Sequence, residues 1–115
     1  MEAYTKDPPD RWEGTFVGTS TDVYKVTIDS TGAWDMGGMA LFDGVVDGRE
    51  GSLVIWFLGR RPDAEADWLG KWVILRGIGE LTNIRGEGTW RGQGAPEIGV
   101  EGSVDYSGKI HFDPS

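Results

Sequence analysis

Nineteen glycines are spread through this 115-residue chain, from Gly14 to Gly108, and each glycine inside a helix costs about 1 kcal/mol relative to alanine. No window therefore sustains an apolar i, i+3, i+4, i+7 stripe for long. DAEADWLG, residues 63 to 70, is the sole helical candidate, and it is one turn long. Period-two alternation recurs instead. In WEGTFVGT, Trp12, Gly14, Phe16 and Gly18 share a face, and in VYKVTID, Tyr24, Val26 and Ile28 oppose Lys25, Thr27 and Asp29 before the turn residues Ser30 to Gly32. Trp34 and Met36 are in phase in AWDM, while in GMALFDGVV Phe42 and Val46 alternate against Leu41 and Val45. The turn DGREG leads to SLVIWFLG, an apolar run that implies burial on both faces. KWVILR, RGEGTWRG and VEGSVDYSGKIHF complete eight or nine short strands, the spacing of an all-β barrel or sandwich.

The densest glycine segment, LRGIGELTNIRGEGTWRG, contains G-x-G twice. A dinucleotide fingerprint or a P-loop needs its glycines between a strand and a helix, with a third glycine or a Lys-Ser/Thr pair in register. Thr82 occupies the third-glycine position and the following residues read as strand, so phosphate binding is not expected. Alternate glycines instead clear one face of a coiled strand for rings from its neighbours. Gly86 and Gly88 lie in phase with Trp90, as Gly14 and Gly18 do with Trp12 and Phe16, which alternates space and bulk along an inner face.

Composition narrows the chemistry. A chain of this length holds one domain, read as residues 11–113 behind a flexible segment 1–10. Cysteine is absent and His111 is the single histidine, so no thiolate, zinc or copper site is expected. Asp43 and Asp47 lack calcium-loop register. The net charge of −8, with dispersed Lys and Arg, disfavours nucleic acid. No apolar run approaches the roughly 18 residues of a membrane span, and the N-terminus has no secretory h-region, so a cytoplasmic protein is expected.

Six tryptophans, three tyrosines and four phenylalanines supply an unusually aromatic apolar fraction. Trp12, Phe16, Tyr24, Trp34, Met36, Phe42, Trp72, Trp90 and Tyr106 fall on the more apolar faces of their strands and are candidates to line a cavity, although simple core packing accounts for most of them equally well. Trp56 belongs to a strand apolar on both faces, so its direction is undecided. Tyr24 and Tyr106 are the inward phenols, able to donate to a carbonyl as charge develops on it. Glu87 alternates with apolar residues and reads as outward; only a reversal of faces at a bulge makes it a general base. His111 has no nameable orienting partner.

GIGELTNIRGEGTW, preceded by FDGVVDGREGSLVIWFLG, resembles the G-x-G-x-L-x-x-[LI]-R-G-E-G pattern of small bacterial barrels related to allene oxide cyclase, over approximately residues 40 to 112. The resemblance implies an eight-stranded antiparallel barrel, often oligomeric, with a ligand pocket at one mouth, in a set that includes cofactor-independent cyclases and isomerases. Two functions follow as expectations. One is a cyclase or isomerase that needs no cofactor and folds a hydrophobic unsaturated substrate into a reactive conformer, as in an intramolecular cycloaddition. The other is a non-catalytic barrel that binds an apolar small molecule. One face of SLVIWFLG, either Leu53, Ile55 and Phe57 or Val54, Trp56 and Leu58, must look outward and needs a cover, most simply in a homodimer, otherwise the loop carrying Pro62 to Trp68.

Overall fold

Asp47 and Gly48 both adopt positive φ, 51° and 77°, the two-residue turn whose twist matches the strands it joins. It fixes the central hairpin of β4 (Trp34–Val46) and β5 (Arg49–Arg61), paired from Val46↔Arg49 to Trp34↔Arg61 without a break. The computed structural model describes residues 2–5, 10–63, 65–92 and 104–114, with the backbone alone at 2–5 and 10. Around the hairpin lie β1 (Glu2–Thr5), β2 (Asp10–Trp12), β3 (Phe16–Ile28), β6 (Trp68–Gly79), β7 (Ile84–Gly92) and β8 (Val104–Phe112). All pairings are antiparallel, in the order β1-β3-β4-β5-β6-β7-β8, and β2 extends the same edge of β3 that β1 occupies. The protein is an all-β, barrel-like coiled sheet.

Three readings of the chain change here. Segments expected as separate short strands merge: residues 16–19 and VYKVTI lie on one strand, as do residues 34–36 and GMALFDGVV, so β3 and β4 each run thirteen residues. Glu2–Thr5, within the segment expected to be loose, pairs with Val23–Val26 of β3. The helical candidate is a turn in which the Asp63 carboxylate accepts from the Glu65 and Ala66 amides at 2.9 and 3.0 Å, because an aspartate offers those amides a partner that a single helical turn does not. GQGAPEIG lies outside the described residues beyond Gly92.

A register shift between Val54 and Ile55 places Val54 opposite Arg76 and Ile55 opposite Ile74, which leaves Leu75 as the extra residue of a bulge in β6. Inward positions therefore run Trp68, Gly70, Trp72, Ile74 and then Gly77. The main core fills the end of the sheet nearest the Asp47–Gly48 turn, the base, and comprises Phe16, Ala40, Phe42, Val46, Leu53, Ile55, Trp72, Ile74, Leu81 and Ile84. The opposite end, the mouth, carries the Asp29–Ala33 turn and the chain from Pro62 to Trp68.

Among the described residues no backbone ladder joins β8 to β1 or β2, so the closed barrel expected from sequence is here a half-barrel with a seam. A side chain bridges that seam. The Tyr106 hydroxyl of β8 donates to the Glu13 carbonyl at 2.6 Å and accepts from the Phe16 amide at 3.0 Å. The described residues include no helix long and apolar enough to cross a membrane.

Candidate functional site

The inner face divides into a filled part and an open part. In the filled part Trp12, Phe16, Phe42 and Tyr106 pack with ring centroids 5.3 to 5.8 Å apart, and Trp72 meets Phe16 at 5.8 Å. These are the contact distances of aromatic cores, and they leave no room for a ligand among the five rings. Towards the mouth a second set of inward residues, Tyr24, Met36, Phe57 and Trp90, is only half-buried. Phe57 lies 6.5 Å from Tyr24 and 6.4 Å from Trp90, so the three rings, from β3, β5 and β7, are in contact and form one half-buried stretch of the inner face, the trough.

The indoles are fixed by glycines and carbonyls. A Cβ at Gly59 would come within 2.5 Å of the Trp90 ring, and one at Gly70 would overlap it. Trp90 thus lies across two side-chain-free positions of neighbouring strands, while its Nε1 donates to the Leu58 and Lys71 carbonyls at 3.0 and 3.3 Å. Trp72 lies over Gly88 and Gly108 in the same way, and its Nε1 donates to Thr89 and Ser107 carbonyls at 3.2 and 3.1 Å. The alternation of space and bulk read from RGEGTW is therefore real. The rings concerned come from the neighbouring strands.

Sequence reasoning missed three inward polar residues. Ser20 is buried; its hydroxyl accepts from Trp12 Nε1 at 2.8 Å and donates to the Asp22 carboxylate at 2.7 Å. The signal was available, because Ser20 and Asp22 share the phase of Phe16 and Tyr24 along one unbroken strand. The third is Arg61, in phase with Phe57 and Gly59 on β5 and only 5% exposed. Its guanidinium carbon lies 4.2 Å from the Trp34 ring centre and 4.7 Å from that of Trp68. Its Nε and Nη1 are buried without a hydrogen-bond partner among the described residues. Burial lowers its pKa from the ordinary arginine value, opposed by the charge of Asp63, but arginine titrates so far above neutrality that the group stays charged.

The expected site residues do not assemble into one constellation. Tyr24, Met36 and Trp90 line the trough and Trp34 stands at its mouth; Trp12, Phe16, Phe42 and Trp72 are core. The Tyr106 hydroxyl is committed to the seam. Glu87 is exposed on the outer face between Val73 and Lys109, since the bulge that reverses faces falls in β6 and leaves the phase of β7 intact. Trp56 also points outward, 37% exposed, which settles its direction. His111 is exposed, 3.2 Å from Asp113. Two open depressions are lined by other residues: one of about 580 Å³ follows the bulge past Leu75, Arg76 and Arg85 at the base end, and one of about 470 Å³ lies between Thr31, Arg60 and Leu69 at the mouth end. Among the described residues no group of three His, Asp or Glu side chains is placed to hold a metal.

Residues 9–106 match the model of a protein family of unknown function, DUF3224. The chain belongs to that family. The matched span runs from the start of β2 to Tyr106 and so includes the trough, the buried arginine and the seam hydroxyl. Comparison with curated proteins and with solved structures returns no match.

Proposed function

We propose that the protein binds a small apolar molecule in the trough formed by Tyr24, Met36, Phe57 and Trp90. The observation that carries this reading is the unequal filling of the inner face: five rings pack against one another at the base, while Tyr24, Phe57 and Trp90 stay half-buried at the mouth, Trp90 held by Gly59, Gly70 and two backbone carbonyls. A ring already fixed in its bound position, as that of Trp90 is, loses little freedom when a ligand arrives. The resemblance to allene-oxide-cyclase-related barrels, which carry a pocket at one mouth, supports the same assignment. Catalysis by a cyclase or isomerase would use this trough through shape, with Tyr24 the one expected phenol that lines it, since the Tyr106 hydroxyl is engaged by backbone and Glu87 faces outward. Binding is the function favoured. The test is a titration with an apolar fluorescent probe, followed by amide chemical shifts: perturbations centred on Tyr24, Phe57 and Trp90 are expected, and shifts confined to the outer face overturn the reading. Incubation with linear polyenes that yields a cyclised product would instead place the protein among the cyclases.

A second copy of the chain is the proposed cover of the outer face. Val23, Met39, Trp56 and Val73 form one cross-strand row there, with Leu41 and Leu58 in the adjoining rows. The described part of the Pro62–Trp68 segment leaves Met39 and Leu41 exposed at 45% and 52%. Lys25 and Lys71 flank the row towards the mouth, Asp43 and Glu50 towards the base. A two-fold axis through Trp56 sets each basic end against the partner's acidic end. Light scattering is expected to give a dimer that Trp56→Glu dissociates; a monomer at high concentration refutes it.

A further inference from the structure

We infer that Arg61 anchors the carboxylate of the molecule held in the trough, so that the ligand is an apolar monocarboxylic acid with its tail on Phe57, Tyr24 and Trp90. This rests on the trough being the binding site and adds the class of ligand. The guanidinium is buried at 5% exposure, with Nε and Nη1 unpartnered among the described residues. Trp34 and Trp68 stabilise the cation through their ring faces, yet a ring face does not replace the hydrogen bonds that a buried N–H gives up with water. A buried charge kept in this state is a site for an anion.

The acids around the mouth are already engaged: Asp63, whose charge acts on Arg61, accepts hydrogen bonds from the Glu65 and Ala66 amides rather than from the guanidinium Nε or Nη1. Asp29 and Asp35 lie 3.6 and 3.8 Å from Arg60, and the Asp67 carboxylate accepts from Arg91 at 2.7 Å. The ligand must therefore bring its own negative charge. A carboxylate fits best, because a planar two-oxygen acceptor matches either edge of the guanidinium fork, whereas the net charge of −8 disfavours a dianion.

Length follows from the strand. Arg61 and Phe57 lie on one face of β5, four residues apart, roughly 13 Å at strand rise. Gly59 between them carries no side chain and is covered by the Trp90 ring and the Met36 stem, so an apolar floor is continuous from ring to guanidinium. An acid of about that length reaches from one to the other.

Decanoic acid and methyl decanoate are the probes, titrated calorimetrically into the full chain at neutral pH. The acid is expected to bind at least tenfold more tightly than the ester. In Arg61→Met the two should bind equally, at the affinity of the ester for wild type, and Arg61→Lys should restore only part of the preference because it keeps the charge and loses the fork. Acid and ester binding wild type equally would overturn the anchor and leave the trough standing; neither binding would overturn both. A folded Arg61→Met that keeps the tenfold preference also removes Arg61 from the site, and the wild-type comparison decides the matter if that variant does not fold.

Discussion

Replacing Tyr106 by phenylalanine separates a structural phenol from a chemical one. The hydroxyl makes two hydrogen bonds across the seam, to the Glu13 carbonyl and from the Phe16 amide, and net contributions of about 1 kcal/mol each set an upper range of about 2 kcal/mol. The site is only half-buried, so water takes over part of the lost bonding to Glu13, while the Phe16 amide, on a residue 2% exposed, is harder to rehydrate. The expected loss is thus about 1 to 2 kcal/mol, a fall of several degrees in Tm for a domain of this size. The ring contacts with Trp12 and Phe16 at 5.3 and 5.5 Å survive the substitution. Urea denaturation followed by circular dichroism measures the loss, and amide exchange locates it, with Phe16 the amide that accelerates most. Unchanged stability together with a lost affinity for apolar ligand would refute the seam assignment and return Tyr106 to the binding site.

Gly70→Ala should displace Trp90 and cost about 1 to 3 kcal/mol, as overpacking does, while Gly37→Ala, whose new methyl meets only the Phe57 carbonyl at 3.7 Å, should be neutral or slightly stabilising; paired denaturation curves compare them. Trp72→Ala is expected to cost about 3 to 5 kcal/mol, whereas Trp90→Leu in a protein that stays folded should weaken binding of an apolar probe, both read from one titration series. Glu87→Gln should leave stability and ligand affinity unchanged, and a tenfold loss of affinity would show that β7 presents its other face. The Asp29 carboxyl is held below the ordinary range by its bonds from the Thr31 hydroxyl and amide, with the Ala33 amide and Arg60 adding to this. Its contribution is therefore complete above about pH 4 and disappears as pH falls through the lowered value, which should appear as faster exchange of the Thr31 and Ala33 amides, corrected for intrinsic rate.

The all-β class, the Asp47–Gly48 hairpin and the inward phase of the aromatic residues were all decided locally. Glycine density forbids long helices, a DG pair selects a twisted two-residue turn, and period two assigns faces wherever polar and apolar residues alternate cleanly. Even the glycine pattern of RGEGTW was legible as room for rings. Which ring fills which gap was not, because Trp90, Gly70 and Gly59 face one another only through the register of three paired strands, Gly70↔Trp90 and Gly59↔Gly70. Trp56 could not be oriented from a strand apolar on both sides; its outward direction follows from Leu53 and Ile55 turning into the core. Arg61 shows the limit most clearly. An arginine next to Arg60 and Pro62 reads as a solvated strand end, and only the tertiary structure, by bringing the nearly perpendicular rings of Trp34 and Trp68 against it, takes its charge out of water without giving its Nε and Nη1 a hydrogen-bond partner among the described residues.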